Sequence, residues 1–292
     1  MELDGLADTH GGVLCTSQLL EGGFTTEAIR RAVHDGLLTR LRHGWYRLVD
    51  ADADVIDAVA GGGVVTCVSA LERCGLWIPE GYDGAHTRVT RYGRRRAPDR
   101  CRRYGRHTPA QAAIDNVLTA LQYAARCCSE EDFIILCDSA LQTAQITMEE
   151  LTQEFRGAPD MILRAIAKTD RRAGSGTETA VRLRLRAKGL KVEVQHHVPG
   201  VGWVDLLAGG CLAIELDSRK HHTGETNYES DRTRDRRMIA QGYVPLRLTY
   251  AQVFQRWKTT YADIESAVQN RIHRRKPKTS ASPEMRPTKR PA

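Results

Sequence analysis

Three carboxylates in the C-terminal part of the sequence are spaced so that one metal ion could bind them. Residues 201–222 (VGWVDLLAGGCLAIELDSRKHH) predict two short strands around a Gly-Gly turn. Side chains alternate between the faces of a strand, so Asp205 takes one face of the first strand, while Glu215 and Asp217 share one face of the second. Clustered carboxylates repel one another unless a cation lies between them, and oxygen ligands suit a divalent cation. The pattern therefore predicts a metal site.

The length of the turn decides whether these acids meet. A two-residue loop would place Asp205 on the opposite face of the sheet from Glu215. A three-residue loop, residues 209–211, pairs position 205 with position 215 when a glycine takes the left-handed conformation. We expect the three-residue loop, because it gathers all three acids on one face.

Length and composition limit the classes of protein that the chain can represent. Its 292 residues, 41% of them hydrophobic, allow about two domains. No stretch approaches the roughly 18 apolar residues of a membrane helix, and no basic region followed by an apolar run indicates a signal peptide. Eight cysteines without a CxxC pair fit neither a zinc ribbon nor a disulfide scaffold. We expect reduced thiols in a cytoplasmic protein that has no membrane partner.

Positive charge is concentrated at the C-terminal end. The chain has a formal net charge of +7, and residues 271–292 contain eight Lys or Arg and one Glu, so the rest of the sequence is balanced. A basic tail favours nucleic acid because binding releases counterions. A solubilising disordered end explains the same composition. We predict a disordered basic tail at 271–292.

Residues 12–49 predict two short helices closed by a β-hairpin with its turn at His43-Gly44. Helix, turn, helix and hairpin is the layout of a winged helix, whose second helix enters the major groove and whose hairpin contacts phosphate. The alternative is a small helical subdomain with a solvated basic face. The candidate DNA-binding residues of this segment are Arg30, Arg31, His34, Arg40, Arg42 and Arg47.

Residues 50–170 predict a middle region that passes from α/β to helical. Between its two parts, the segment 91–106 contains eight arginines beside Tyr92 and Tyr104. Such a run is either a solvated loop or a surface that binds a phosphate backbone or stacks a base, with RNA as a weaker alternative substrate. Its candidate nucleic-acid-binding residues are Arg94, Arg95 and Arg96. The segment 171–178, with Gly, Ser and charge, is a plausible domain boundary.

Residues 175–268 predict an α/β unit with a mixed sheet. Thr177 can cap a helix that carries Glu178, residues 181–186 suit either a helix or a strand, and one long helix is expected over 250–269. The predicted fold class is therefore α+β to α/β multidomain. Its parts are a winged helix at 1–49, a helical middle region at 50–170, a C-terminal mixed sheet flanked by helices at 175–268, and the tail.

The order of the acids resembles the PD-(D/E)xK nuclease superfamily. The segments ELDSRKHH (215–222), DRTRD (231–235) and GYVPLRLT (242–249) look specifically like the Vsr-type, very-short-patch-repair-like endonuclease domain, whose fold is restriction-endonuclease-like. This resemblance implies hydrolysis of DNA phosphodiester bonds with Mg²⁺ or Mn²⁺, in phage defence or DNA repair. The sequence departs from the family pattern where the usual lysine, two residues after the second strand acid, is replaced by Asp217.

The resemblance also implies roles for particular residues. The implied catalytic residues are Glu178, Asp205, Glu215, Asp217, Lys220, His221 and His222. Asp205 and Glu215 are the implied metal ligands. The implied helix-borne support consists of Asp231, Arg234 and Asp235.

The N-terminal segment resembles a second family. GGVL (11–14), AIRR (28–31) and GLLTRLRHGWYR (36–47) are similar to the winged-helix domain of AbiEi-family type IV antitoxins, which implies autorepression of a toxin–antitoxin operon and a cognate toxin as partner. Two functions follow. One is a metal-dependent DNA endonuclease that the winged helix docks onto duplex DNA. The alternative is a non-catalytic repressor that keeps a nuclease-like fold for binding or dimerisation.

Overall fold

A computed structural model describes residues 5, 10–89, 101–105, 109–217, 225–270 and 273, without the side chains of residues 225–231. The chain divides into two compact units, Met1–Gly176 and Thr177–Ala292. Both units mix helices with strands, which agrees with a multidomain α+β class. Within the described part of the chain, no helix has both the length and the apolar content that crossing a bilayer requires.

The first unit begins with two helices and a three-stranded antiparallel sheet of order β1-β3-β2. Its elements are β1 (Val13–Cys15), α1 (Thr16–Glu21), α2 (Thr26–His34), β2 (Thr39–Arg42) and β3 (Trp45–Arg47). Leu14, Leu19, Ile29 and Leu38 form the centre of its core. The two helices and the hairpin are confirmed. Strand β1 was not predicted, because its three residues form a strand only through pairing with β3.

The remainder of the first unit passes from α/β to helical, in the predicted order. Its elements are α3 (Ala53–Ala60), β4 (Gly63–Val65), α4 (Cys67–Arg73), β5 (Thr87–Val89), α5 (Val117–Cys127), α6 (Glu130–Gln142), α7 (Met148–Glu154) and α8 (Asp160–Ile166). A buried ion pair joins Arg88 of β5 to Asp115, with nitrogen–oxygen distances of 2.5 and 2.7 Å. Burial lowers the pKa of Arg88, but the bonds to Asp115 outweigh this effect and raise it.

The second unit is built on a mixed four-stranded sheet of order β6-β7-β8-β9. Its elements are α9 (Gly176–Ala187), β6 (Val192–Val198), β7 (Gly202–Ala208), β8 (Leu212–Asp217), α10 (Glu225–Ala240), β9 (Val244–Thr249), α11 (Tyr250–Phe254) and α12 (Trp257–Gln269). The first three strands pair antiparallel, and β9 runs parallel to β8. The predicted mixed sheet with flanking helices is therefore present.

In the second unit the structure settles one ambiguous prediction and contradicts another. The ambiguous residues 181–186 are helical and belong to α9. The prediction of a single helix over 250–269 is wrong, because the helix is interrupted at Gln255 and Arg256. Arg256 has φ −125° and ψ 27°, which is not helical, and α11 ends one residue before Gln255.

Candidate functional site

The β7–β8 hairpin has the three-residue loop that the carboxylate prediction requires. Leu206 pairs with Ile214, which leaves residues 209–211 as the loop. The first glycine of this loop has a φ of 65°, in the left-handed region that glycine adopts readily. The predicted register is confirmed, and its continuation brings Asp205 opposite Glu215.

Gln195 joins two of the predicted acids. Its side-chain amide donates to Glu178 Oε2 at 2.9 Å and to Asp205 Oδ1 at 3.4 Å. The second carboxylate oxygen of Asp205 accepts from the backbone N–H of Leu216 at 2.9 Å. Glu178, on α9, is only 5% exposed. One amide group thus links a buried acid on a helix with a partly buried acid on a strand.

Sequence analysis missed Gln195. It lies between the β6–β7 pairs Val194–Leu206 and His196–Val204, and its φ of 52° is left-handed. That conformation is uncommon for a residue other than glycine, and strained residues of this kind cluster at functional sites. The signal that could have identified it is its position opposite Asp205 once β6 and β7 are paired.

Glu215 lies between two arginines. Arg234 Nη2 is 2.7 Å from one of its carboxylate oxygens, and Arg247 Nε is 3.3 Å from the other. Arg247 also donates to Asp235 Oδ1 at 3.1 Å. Burial raises the pKa of Glu215, the two arginines oppose that shift, and the charges of Asp205 and Asp235 add to it. The acids of β7 and β8 are therefore electrostatically coupled.

The structure gathers some of the predicted site residues and leaves others apart. It brings together Glu178, Asp205, Glu215, Arg234 and Asp235. Asp217 is exposed at the end of β8. The predicted residues Lys220, His221 and His222 lie outside the described residues, as does the side chain of Asp231.

Sequence analysis also missed Arg247. Its position in the strand VPLRLT could have identified it, because the parallel pairing of β9 with β8 places Arg247 beside Glu215. Neither Arg247 nor Gln195 is acidic, so a search for carboxylates alone passes over both. The cluster therefore contains acids, an amide and guanidinium groups.

The basic residues predicted for DNA binding fall into groups. The exposed ones are Arg30, Arg31 and His34 on α2 and Arg40 on β2. Arg42 stacks on the Trp45 ring, 4.9 Å from its centroid, and burial lowers the pKa of Arg42. Arg47 donates to two backbone carbonyls just after β3. The last group, Arg94, Arg95 and Arg96, lies outside the described residues.

Comparison with known proteins finds a similarity for the N-terminal segment. Among solved structures, the RV2827C protein from Mycobacterium tuberculosis is 15% identical over 62% of this chain and 79% of its own, with a TM-score of 0.29, a likeness that defines no shared fold. No curated protein matches the chain at a significant level. Residues 1–49 match the family model described as transcriptional regulator, AbiEi antitoxin. The first 49 residues are thus similar to AbiEi antitoxin regulators, as their sequence indicates.

Proposed function

We propose that the chain is a DNA-binding transcriptional regulator of the AbiEi antitoxin type, whose N-terminal winged helix binds duplex DNA. The observation that carries this proposal is the match of residues 1–49 to the AbiEi antitoxin regulators. Helix α2 supports it, because Ile29 and Ala32 are buried while Arg30 and Arg31 are exposed. A helix with an apolar inner face and a basic outer face suits the major groove.

The arginines of the hairpin have two different roles, contact with DNA and stabilisation of the hairpin. Arg40 is exposed on β2, and although its Nε donates to the Arg42 carbonyl at 3.4 Å, its terminal guanidinium nitrogens can contact a phosphate of the DNA backbone. Arg42 and Arg47 instead stabilise the hairpin, through the Trp45 ring and through backbone carbonyls. We therefore assign DNA contact to α2 and Arg40. The protein partner expected for an antitoxin of this type is a cognate toxin.

The sharpest test of this function is an Arg31→Ala substitution, measured by a mobility shift on duplex DNA from upstream of the chain's own reading frame. We expect a loss of about tenfold or more in affinity. The matched control is Arg164→Ala, because Arg164 is also an exposed helical arginine and lies on α8. Equal binding by wild type and Arg31→Ala would reject the assignment of α2 to DNA.

The cluster of acids in the second unit supports a second candidate, a metal-dependent DNA endonuclease. The specific observation is that Gln195 donates to both Glu178 and Asp205, while the charge of Asp205 acts on Glu215. Carboxylate oxygens are ligands that Mg²⁺ and Mn²⁺ prefer. The Gln195 amide presents its positive end between two of them, as a cation would. The oxygens of Asp205 and Glu215 already have partners, Gln195 and the Leu216 N–H on Asp205 and two arginines on Glu215, so a divalent ion would have to displace some of these to bind there.

In this second function, Asp205 and Glu215 would hold the ion. The ion would activate water and neutralise charge on the phosphoryl group in the transition state. Gln195 would orient the Glu178 carboxylate, and Arg234 and Arg247 would favour the negatively charged phosphate beside Glu215. Lys220, His221 or His222 would assist the water or the phosphate, as the resemblance implies.

Nicking of supercoiled plasmid in Mg²⁺, in Mn²⁺ and in chelator tests the endonuclease. We expect metal-dependent nicking that Asp205→Asn/Glu215→Gln abolishes. Glu193→Gln is the matched control, because Glu193 lies on the same sheet but pairs with His196 and Lys191 instead. If the wild type leaves plasmid intact in every metal yet still shifts DNA in chelator, the endonuclease is rejected and the regulator remains.

A further inference from the structure

Three cysteines and a histidine meet in the first unit, none of them a residue of α2 or of the acid cluster. The sulfur atoms of Cys67, Cys101 and Cys127 and one ring nitrogen of His86 all lie within 4.8 Å of one another. Cys101 Sγ is 3.3 Å from His86 Nδ1. The four residues come from separate parts of the chain. They are the first residue of α4, the residue before β5, the segment 101–105 and the last residue of α5.

We propose that these four residues bind one structural zinc ion. Tetrahedral Zn²⁺ takes sulfur ligands at about 2.3 Å and nitrogen ligands at about 2.0–2.1 Å, and three cysteines with one histidine is an established ligand set. Ligands at such distances lie within about 4 Å of one another, so the observed group needs only a small contraction. Four protein ligands leave no open position for substrate water, which makes the site structural.

The chemistry of the ligands selects zinc over the ions expected at the acid cluster. Thiolate sulfur is a soft ligand that favours Zn²⁺, whereas Mg²⁺ prefers oxygen. Each cysteine that enters the coordination sphere gives up its thiol proton to solvent, so the ion binds three thiolates and a neutral imidazole. The proposed ion is therefore independent of the ion considered for Asp205 and Glu215.

The backbone around the cluster holds its ligands in place. Cys67 has a φ of 53°, a left-handed conformation that is costly for a residue other than glycine and persists only where its surroundings fix it. The backbone N–H of His86 donates to Ser69 Oγ at 2.9 Å. The backbone N–H of Cys101 donates to the carbonyl of Thr87 at 2.9 Å. His86 is thereby anchored to α4, the helix that carries Cys67, and Cys101 is anchored to β5.

The four ligands differ in how exposed they are, which would shield a bound ion from solvent on one side and let it enter from the other. Cys67 and Cys101 are buried, while Cys127 is exposed at the end of α5. An ion bound here would join the end of α5 to the β5 region. A search for sequence motifs does not find this site, because its ligands do not occur as CxxC pairs.

Metal analysis of the purified full-length chain, kept under reducing conditions, tests the site. We expect about one zinc per chain, retained by Cys74→Ser and largely lost by Cys127→Ser. Cys127 is the ligand chosen because it is exposed, and Cys74 is the control because it is a partly buried thiol outside the group. Equal zinc in wild type and Cys127→Ser, or iron in place of zinc, would overturn the proposal.

Cobalt substitution of the wild-type chain keeps the proposal testable if Cys127→Ser fails to fold. Chelator-treated wild type, titrated with Co²⁺, should develop the strong visible absorption of tetrahedral cobalt together with thiolate charge-transfer bands. Failure of this spectrum in a wild type that also carries no zinc would overturn the proposal, as would a disulfide between two of the three cysteines in the freshly purified chain. Neither result bears on DNA binding by α2.

Discussion

The Glu215 carboxylate is held in a setting that opposes its charge. Its pKa is raised by burial and by the charges of Asp205 and Asp235, against the pull of Arg234 and Arg247. The folded state therefore binds a proton here more readily than the unfolded state does. The stability contributed by that proton is fully present below the ordinary pKa of glutamate, and it is lost as pH rises through the raised pKa.

We predict that Glu215→Gln raises the thermal midpoint at pH 8, because the amide removes a charge that folding disfavours. The difference from wild type should shrink as pH falls and vanish below about pH 4, where glutamate is protonated in both states. Thermal unfolding followed across this pH range measures the effect, with Glu193→Gln as the control. A variant that is less stable than wild type at pH 8 would show that the two arginines dominate. Removing a charged group from a functional site commonly raises stability at the cost of activity.

Helix α2 depends on the cap at its first turn. The Thr25 side chain accepts from the backbone N–H of Ala28 at 3.1 Å, and this bond satisfies a donor that the helix itself leaves unpaired. We predict that Thr25→Ala lowers the free energy of unfolding by about 1 kcal/mol and weakens DNA binding, because α2 frays at its start.

Urea unfolding and the mobility shift measure the two effects of Thr25→Ala together. Thr25→Ser keeps a hydroxyl acceptor, so it should retain most of the stability and the DNA affinity. If Thr25→Ala lost stability but bound DNA as wild type does, the DNA contact would not depend on the start of α2.

Elements with local signals could be predicted from the sequence, and those fixed by distant pairing could not. The cap at Thr25 and the glycine turn of the β7–β8 hairpin depend only on residues close in sequence, so α2 and the hairpin register could be predicted. Strand β1 exists only because β3 pairs with it. Gln195 meets Glu178 only once β6 is in the sheet beside α9. The cysteine–histidine group likewise joins four segments that no local motif connects.

The two units of the whole molecule divide the proposed functions between them. The AbiEi-like residues 1–49 lie in the first unit, and the acid cluster lies in the second. Most of the net charge of +7 lies at the end of the second unit, because residues 274–292 alone contain seven Lys or Arg and one Glu. Sequence-independent affinity for DNA grows with the number of phosphates that such residues neutralise. The end of the chain is therefore expected to set the strength of binding, and α2 its specificity.

We predict that truncation after His273 weakens binding to random-sequence DNA and makes its salt dependence shallower, because fewer counterions are released. His273 is kept because its carbonyl accepts from the backbone N–H of Gly210 at 2.6 Å, in the β7–β8 loop. Affinity titrations over a range of salt concentrations, on random DNA and on the upstream fragment, measure the slope and the specificity ratio. The ratio should rise, since only the non-specific contribution is lost. A full-length variant with its seven basic residues after His273 replaced by Gln should behave like the truncation, and wild-type binding by that variant would show that the charge of the tail does not contact DNA.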